Sequence, residues 1–135
     1  MPPDAPGATL GRVVCLTLPL PPTTNRATRV VNNRAVKSRE ARDYADMVCR
    51  ACMVYGYSSG GRDIPPGDLE MRIALFLKRD RDVDSCKVLQ DCVALSLGFN
   101  DAKIRHLVIT KHVDRANPRA EVTLSAYEEP DHAND

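Results

Sequence analysis

The chain of 135 residues contains no tryptophan, only two phenylalanines and four tyrosines. So few aromatic rings disfavour a surface on which unpaired bases stack, since such surfaces are built from aromatic faces. No run of about 18 apolar residues is present, so we expect no membrane-spanning helix. The first eleven residues lack the basic cluster and apolar stretch of a secretory signal. The length and an ordinary composition, 43% apolar and 27% charged, predict one globular domain.

The five cysteines are an odd number, and without a secretory signal they predict reduced thiols in a cytoplasmic protein. Cys49 and Cys52 form a single C-x-x-C pair. A structural zinc site needs four ligands, and no second pair with this spacing follows. The pair also falls within a helical pattern, where one cysteine can simply join the core. We therefore expect buried thiols and not a zinc site.

Charge is distributed unevenly, although the formal net charge is only +1. The last fifteen residues carry five acidic and no basic side chains, which leaves a net charge of +6 for residues 1–120. Residues 26–50 hold seven basic and three acidic residues. A basic body is compatible with a polyanionic partner, and a solvated charged surface is the alternative interpretation.

Apolar periodicity predicts the order β, short hairpin, α, β, α, β, β, which indicates a single small α+β domain with a mixed sheet and two main helices. Ser38 is a candidate N-cap for the first helix, which we expect to end near Tyr55. The second helix is predicted from about Ser85 to Leu97, with Gly98 ending it. We expect a disordered lead at 1–11, a folded domain at 12–128 and an acidic disordered tail at 129–135.

Four strands and one loop complete this prediction. The alternation of leucine, methionine and isoleucine between Leu69 and Lys78 is the strongest strand signal. The other predicted strands are 12–18, 104–113 and 119–127, and a loop is predicted at 56–68. On the second helix, Val88, Leu89, Cys92, Val93, Leu95 and Leu97 are expected to form one apolar arc. Lys87 and Asp91 fall on the opposite, polar arc.

Carboxylates are concentrated where the strongest strand ends. If that strand continues, Asp80, Asp82 and Asp84 project from one side. Asp101 follows the second helix, and the chain can fold back to bring it beside them, with Lys87 above the same place. Such an oxygen-rich cluster suits a hard divalent cation, and with a lysine it can hydrolyse a phosphodiester. Alternatively, Asp84 caps the helix and Asp80 and Asp82 lie in a solvated turn with Arg79 and Arg81.

Three motifs, in this order and spacing, resemble those of the RusA-type Holliday-junction resolvases. The segment 18–26, Leu-Pro-Leu-Pro-Pro-Thr-Thr-Asn-Arg, resembles the first strand and the Pro-Pro-x-x-Asn loop of that family. The segment 81–87, Arg-Asp-Val-Asp-Ser-Cys-Lys, resembles its Arg-Asp-x-Asp-Asn…Lys motif, with Asp91 as a further acidic match. The segment 98–104, Gly-Phe-Asn-Asp-Ala-Lys-Ile, resembles its closing motif, which a strand follows. The resemblance extends over about residues 12–127.

The resemblance implies an intertwined homodimeric endonuclease, often encoded by a phage or prophage, that resolves four-way DNA junctions with paired nicks. It implies Mg²⁺ as cofactor, with Mn²⁺ as a substitute, and neither a nucleotide cofactor nor a membrane partner. Residue by residue, it places metal-binding aspartates at Asp82, Asp84 and Asp101 and the catalytic lysine at Lys87. It also implies DNA-binding roles, which fall on Asn25, Arg26, Arg81 and Lys111.

The sequence departs from the family pattern near the predicted lysine. Ser85 stands where the family usually has asparagine, and Lys87 follows Asp84 by three positions instead of four. One position on a helix turns a side chain by about 100° and moves it by about 1.5 Å. Asp80 is an additional acid, so Asp80 and Asp82 are an alternative metal pair. A branched-DNA-binding protein with weak or lost catalysis and a phage partner-binding protein are the alternative functions.

Overall fold

The computed structural model describes residues 13–22, 28–31, 34–59, 64–83 and 86–128. The predicted lead at 1–11, the acidic tail at 129–135 and the site residues Asn25, Arg26 and Asp84 lie outside these ranges. The elements follow the predicted order. They are β1 Val14–Leu18, β2 Thr28–Val31, β3 Arg34–Lys37, α1 Arg39–Ser59, β4 Leu69–Leu77, α2 Lys87–Leu97, a 3₁₀ turn Asp101–Lys103, β5 Ile104–Val113 and β6 Arg119–Ala126.

The larger sheet has four strands in the order β1-β6-β4-β5. β6 is antiparallel to both β1 and β4, whereas β5 is parallel to β4. The sheet is therefore mixed, and the α+β prediction is confirmed. β2 and β3 pair only with each other in the described chain, which gives the predicted hairpin. Because β4 and β5 are parallel, their carboxyl ends meet at one edge of the sheet, and the chain beyond each strand gathers there.

The core lies between one face of this sheet and the two helices. The alternating residues of β4, from Leu69 to Leu77, are all buried, as predicted. From the helices, Tyr44 and Val48 of α1 and Leu89 and Val93 of α2 join the same apolar cluster. The hydroxyl of Tyr44 donates a hydrogen bond to the Pro19 carbonyl at 2.8 Å, so its polar tip is satisfied. This bond ties α1 to the chain that follows β1.

The helix ends are partly those predicted. The amide of Ala41 donates to Ser38 Oγ at 3.2 Å, which confirms the predicted cap. Gly98 ends α2 with φ of 81°, a conformation that favours glycine. The predicted end of α1 near Tyr55 is wrong, because the helix continues to Ser59. The prediction ended the helix where the apolar periodicity stops and a segment rich in glycine, serine and proline begins, but one glycine such as Gly56 costs a helix only about 1 kcal/mol relative to alanine.

The predicted start of α2 is also displaced. Cys86 has φ of 55° and ψ of 39°, so it is left-handed and cannot belong to the helix, which begins at Lys87. The predicted burial of Leu95 is wrong, since its side chain is 77% exposed. Leu95 lies at the margin of the apolar arc, about 120° around the helix from the buried Leu89.

None of the five cysteines forms a disulfide. The prediction of buried thiols is confirmed for Cys52, which lies in the core, and wrong for Cys49, which is exposed because only one member of the helical pair faces inward. None of the helices in the described ranges is long and apolar enough to cross a membrane.

Candidate active site

The segment after β4 carries the first predicted site residues. Asp80, Arg81 and Asp82 are all exposed there. Lys111 of β5 holds this segment in place: its Nζ lies 2.9 Å from Asp80 Oδ1 and donates to the Arg81 carbonyl at 3.0 Å. The neighbouring parallel strand therefore fixes the backbone from which Arg81 and Asp82 project.

Lys87 is the centre of the second group of site residues. Its ammonium lies 3.0 Å from Asp91 Oδ1 and 3.1 Å from Asp101 Oδ2. Asp91 is one helical turn further along α2, where an i,i+4 partner is within reach. Asp101 belongs to the 3₁₀ turn beyond the helix, so the chain folds back to Lys87. The predicted approach of Asp101 to Asp82 and Asp84 stays a prediction, since Asp84 lies outside the described residues. Lys87 and Asp101 are thus brought together despite the shortened spacing.

A local cap orients Asp101. The side chain of Asn100 accepts a hydrogen bond from the Ala102 amide at 2.9 Å, and the Lys103 amide bonds the Asn100 carbonyl at 2.9 Å. These two bonds close the tight turn that begins at Asp101. Asn100 therefore has a structural role in presenting the neighbouring carboxylate.

The charges of this group stabilise one another. Hydrogen bonds to Asp91 and, next, to Asp101 raise the pKa of Lys87 above its ordinary value. The same Lys87 ammonium, by hydrogen bond and by charge, holds the pKa of Asp101 below its ordinary value. Around neutral pH, Lys87 is consequently a fixed cation and Asp101 a fixed carboxylate. All three side chains are about half exposed, so solvent reaches the group.

The chemistry of the predicted metal donors fits a hard divalent cation, because Asp82 and Asp101 offer exposed carboxylate oxygens. The third predicted donor, Asp84, lies outside the described residues. Within the described ranges, no three histidine, cysteine, aspartate or glutamate side chains form a group that could hold a metal. The predicted site of Asp82, Asp84 and Asp101 is therefore not assembled among the described residues and stays a prediction.

Arg81, in the segment that follows β4, lies close to the chain that follows β1. Its guanidinium donates to the Asp82 carbonyl at 3.4 Å. Arg81 also lines a concavity of about 590 Å³ together with Pro22, Tyr44 and Met47. The described end of the Pro-Pro segment therefore lies beside Arg81, and the predicted DNA-binding residues Asn25 and Arg26 follow outside the described ranges.

Sequence reasoning missed two features of this edge. It assigned Lys111 to DNA, whereas the structure also makes it the residue that anchors the Asp80–Arg81 segment. It overlooked Arg115, in the turn after β5, which lies with Lys78 and Arg79 around one concavity. Both features follow from the parallel pairing of β4 and β5, which brings the residues after the two strands together. An isolated sequence does not specify that pairing.

Two comparisons with known proteins gave no relative. No family model matches the chain, and a search of curated proteins finds no match. The resemblance therefore rests on the three motifs and their spacing.

Proposed function

We propose that the protein is a Mg²⁺-dependent endodeoxyribonuclease of the RusA type that resolves four-way DNA junctions. The observation that carries this proposal is the Lys87 ammonium lying between the carboxylates of Asp91 and Asp101. A lysine fixed beside an aspartate that the motif assigns to the metal can stabilise the charge that develops during phosphodiester hydrolysis.

The proposal divides the site residues into metal ligands and phosphate-binding residues. Asp82, Asp84 and Asp101 would hold the cation. When bound, Mg²⁺ lowers the pKa of a coordinated water and neutralises charge on the phosphoryl oxygens. Arg81, with its guanidinium exposed on a segment that Lys111 anchors, binds a phosphate of the cut strand. Asn25 and Arg26 would extend this phosphate contact.

Lys87 stabilises the negative charge that develops as the phosphodiester bond breaks. It is suited to this because its partners keep it protonated and restrict where the ammonium lies. Preorganised charge is effective because little reorganisation is needed during the reaction. Asp91 does not touch the reacting atoms in this account; it positions Lys87 from one turn along α2. The lysine stem is long enough to absorb the missing residue before it.

Resolution needs two cuts, which agrees with the homodimer that the resemblance implies. β4 is the only described strand paired with β5, so one edge of β5 is open. On the core side of that strand, Leu107 is 37% and Val113 52% exposed. We expect a second copy to cover this surface, and Leu107→Lys with Val113→Lys to give a monomer by light scattering.

The test of the proposed activity is a synthetic four-way junction with labelled strands, incubated with enzyme in excess and Mg²⁺. Paired nicks near the branch point, absent with EDTA and absent on a linear duplex, are expected. Tight junction binding without nicks would favour the catalytically inactive DNA-binding alternative. The absence of both binding and nicks would favour the partner-binding alternative.

A further inference from the structure

At the sheet edge where β4 and β5 end, the described residues that line one concavity are all cations. Lys78, Arg79 and Arg115 surround a space of about 500 Å³. None of the three has an ion pair or a side-chain hydrogen bond with another described residue. Lys87 and Lys111, by contrast, each have a carboxylate within about 3 Å. We call the surface formed by Lys78, Arg79 and Arg115 the basic concavity.

The backbone that carries the basic concavity is braced. The Asp114 amide donates to the Leu77 carbonyl at 2.8 Å, which joins the chain after β5 to the end of β4. The Asp114 side chain stabilises the turn between β5 and β6: its Oδ1 accepts a hydrogen bond from the Asn117 amide at 3.2 Å, and its Oδ2 accepts one from Arg119 at 2.9 Å. Arg119 also donates to the Asn117 carbonyl at 2.9 Å. Arg115 is thus presented beside Lys78 by a turn that is already ordered.

The basic concavity borders the candidate active site without belonging to it. Arg79 lines both the basic concavity and the concavity that contains Arg81. Four cations therefore follow one another along this edge, from Arg81 through Arg79 to Lys78 and Arg115. Like charges gathered on an ordered backbone repel one another, and a ligand that carries several negative charges relieves this repulsion.

We propose that Lys78, Arg79 and Arg115 bind the phosphate backbone of a junction arm, as a second DNA contact beside the one at Arg81. This inference rests on the proposed function, which supplies DNA as the polyanion. The contact positions an arm and carries no sequence information, because it is made to phosphates. It increases affinity for a substrate that offers more than one duplex to the same protein surface.

The experiment measures binding separately from cleavage. A fluorescein-labelled four-way junction is titrated with protein in EDTA, by anisotropy, at a series of salt concentrations. The test variant is Lys78→Gln/Arg79→Gln/Arg115→Gln. The matched control is Arg39→Gln/Arg42→Gln/Arg50→Gln, which removes the same charge from exposed positions of α1. A third variant, Arg79→Lys/Arg115→Lys, keeps the charge.

If each of the three cations contacts one phosphate, the slope of log K against log salt becomes less negative by about 2.7 in the test variant. The control changes the slope much less, and the charge-preserving variant keeps the wild-type slope. Equal changes in the test and control variants would overturn the proposal, because the loss would then reflect net charge alone. An unchanged slope and affinity in the test variant would also overturn it.

The two proposals fail in different ways. If wild-type protein binds the junction with the expected salt slopes but never nicks it with Mg²⁺, the proposed activity is wrong and the DNA contact stands. If wild-type protein nicks the junction and the test variant binds like the wild type, only the DNA contact is wrong. If wild-type protein does not bind the junction in EDTA, the contact is wrong as well, and an acidic protein partner becomes the better occupant.

Discussion

Two groups of cations lie on this small domain and differ in their partners. Lys87 is held by Asp91 and Asp101, and Lys111 by Asp80. Lys78, Arg79 and Arg115 share a concavity and have no carboxylate partner among the described residues. A cation fixed between carboxylates is positioned for one task at one point. Cations without such partners keep their charge available to a ligand. The comparison separates chemistry at Lys87 from recognition at the basic concavity.

Among the variants that test whether catalysis at Lys87 is separate from DNA binding at the basic concavity, Lys87→Ala should have the largest effect on cleavage. Single-turnover cleavage should fall by about 10²-fold or more, the order seen when one group that stabilises transition-state charge is removed. Junction affinity and Mg²⁺ binding should remain. Lys87→Arg should recover little, because the planar guanidinium differs in shape from a point charge.

Enzyme must exceed junction in that assay, so that product release does not hide the chemical step. Arg50→Ala is the control, since Arg50 is an exposed cation of α1 outside the candidate site. Near wild-type cleavage by Lys87→Ala would mean that another cation, with Lys103 or Lys111 first, covers the phosphate.

A smaller effect is expected from Asp91→Asn, which removes one of the two carboxylates that hold Lys87. Cleavage at saturating enzyme should fall about 10-fold, as when an outer partner of a catalytic group is lost. The dissociation constant of the junction should be unchanged, and Asp91→Glu should restore most of the rate. Asp46→Asn, at an exposed carboxylate of α1, is the control. Equal rates for Asp91→Asn and the control would show that Asp91 does not position the lysine.

Arg81→Ala should weaken binding of the junction, because Arg81 lies between the candidate active site and the basic concavity. Loss of one phosphate contact should make the slope of log K against log salt less negative by about 0.9 on B-DNA. The measurement is junction binding in EDTA across salt concentrations. An unchanged slope with unchanged affinity would place Arg81 outside the DNA contact.

The smallest effect concerns the ionisation of Asp101. Lys87 lowers the pKa of this carboxyl, so the ion pair is intact at neutral pH and is lost as pH falls through the lowered pKa. Lys87→Met removes the main cause of the shift, so the pKa of Asp101 should rise toward its ordinary value of 3.8. Carbon-13 NMR titration of the carboxyl group in both proteins measures this. A pKa that does not rise would contradict the pairing of Lys87 with Asp101.

Local patterns in the sequence were sufficient to predict the order of the helices and strands and the approach of Asp101 to Lys87. Apolar alternation predicts a strand, a serine before a helical pattern predicts an N-cap, and a glycine after it predicts the helix end. The structure confirms all three, in β4, at Ser38 and at Gly98. The return of Asp101 to Lys87 followed from a strand, a helix and a short loop in sequence.

Other features depend on tertiary structure and could not be predicted. A left-handed cysteine is rare because its Cβ crowds the backbone, so nothing in the sequence indicated that Cys86 would exclude itself from α2. The exposure of Leu95 depends on how α2 is rotated against the core, which buries Leu89 and Val93 instead. The basic concavity depends on the parallel pairing of β4 with β5, which joins residues more than thirty positions apart.

The central claim is that the carboxylates next to Lys87 and at the end of β4 drive metal-dependent cleavage. The most direct measurement compares wild type with Asp82→Asn and Asp101→Asn on the same labelled four-way junction, with Mg²⁺ for cleavage and Ca²⁺ for binding. We expect paired nicks by the wild type, none by either variant, and junction affinity in both variants equal to or higher than that of the wild type. Cleavage by either variant at the wild-type rate would contradict the account.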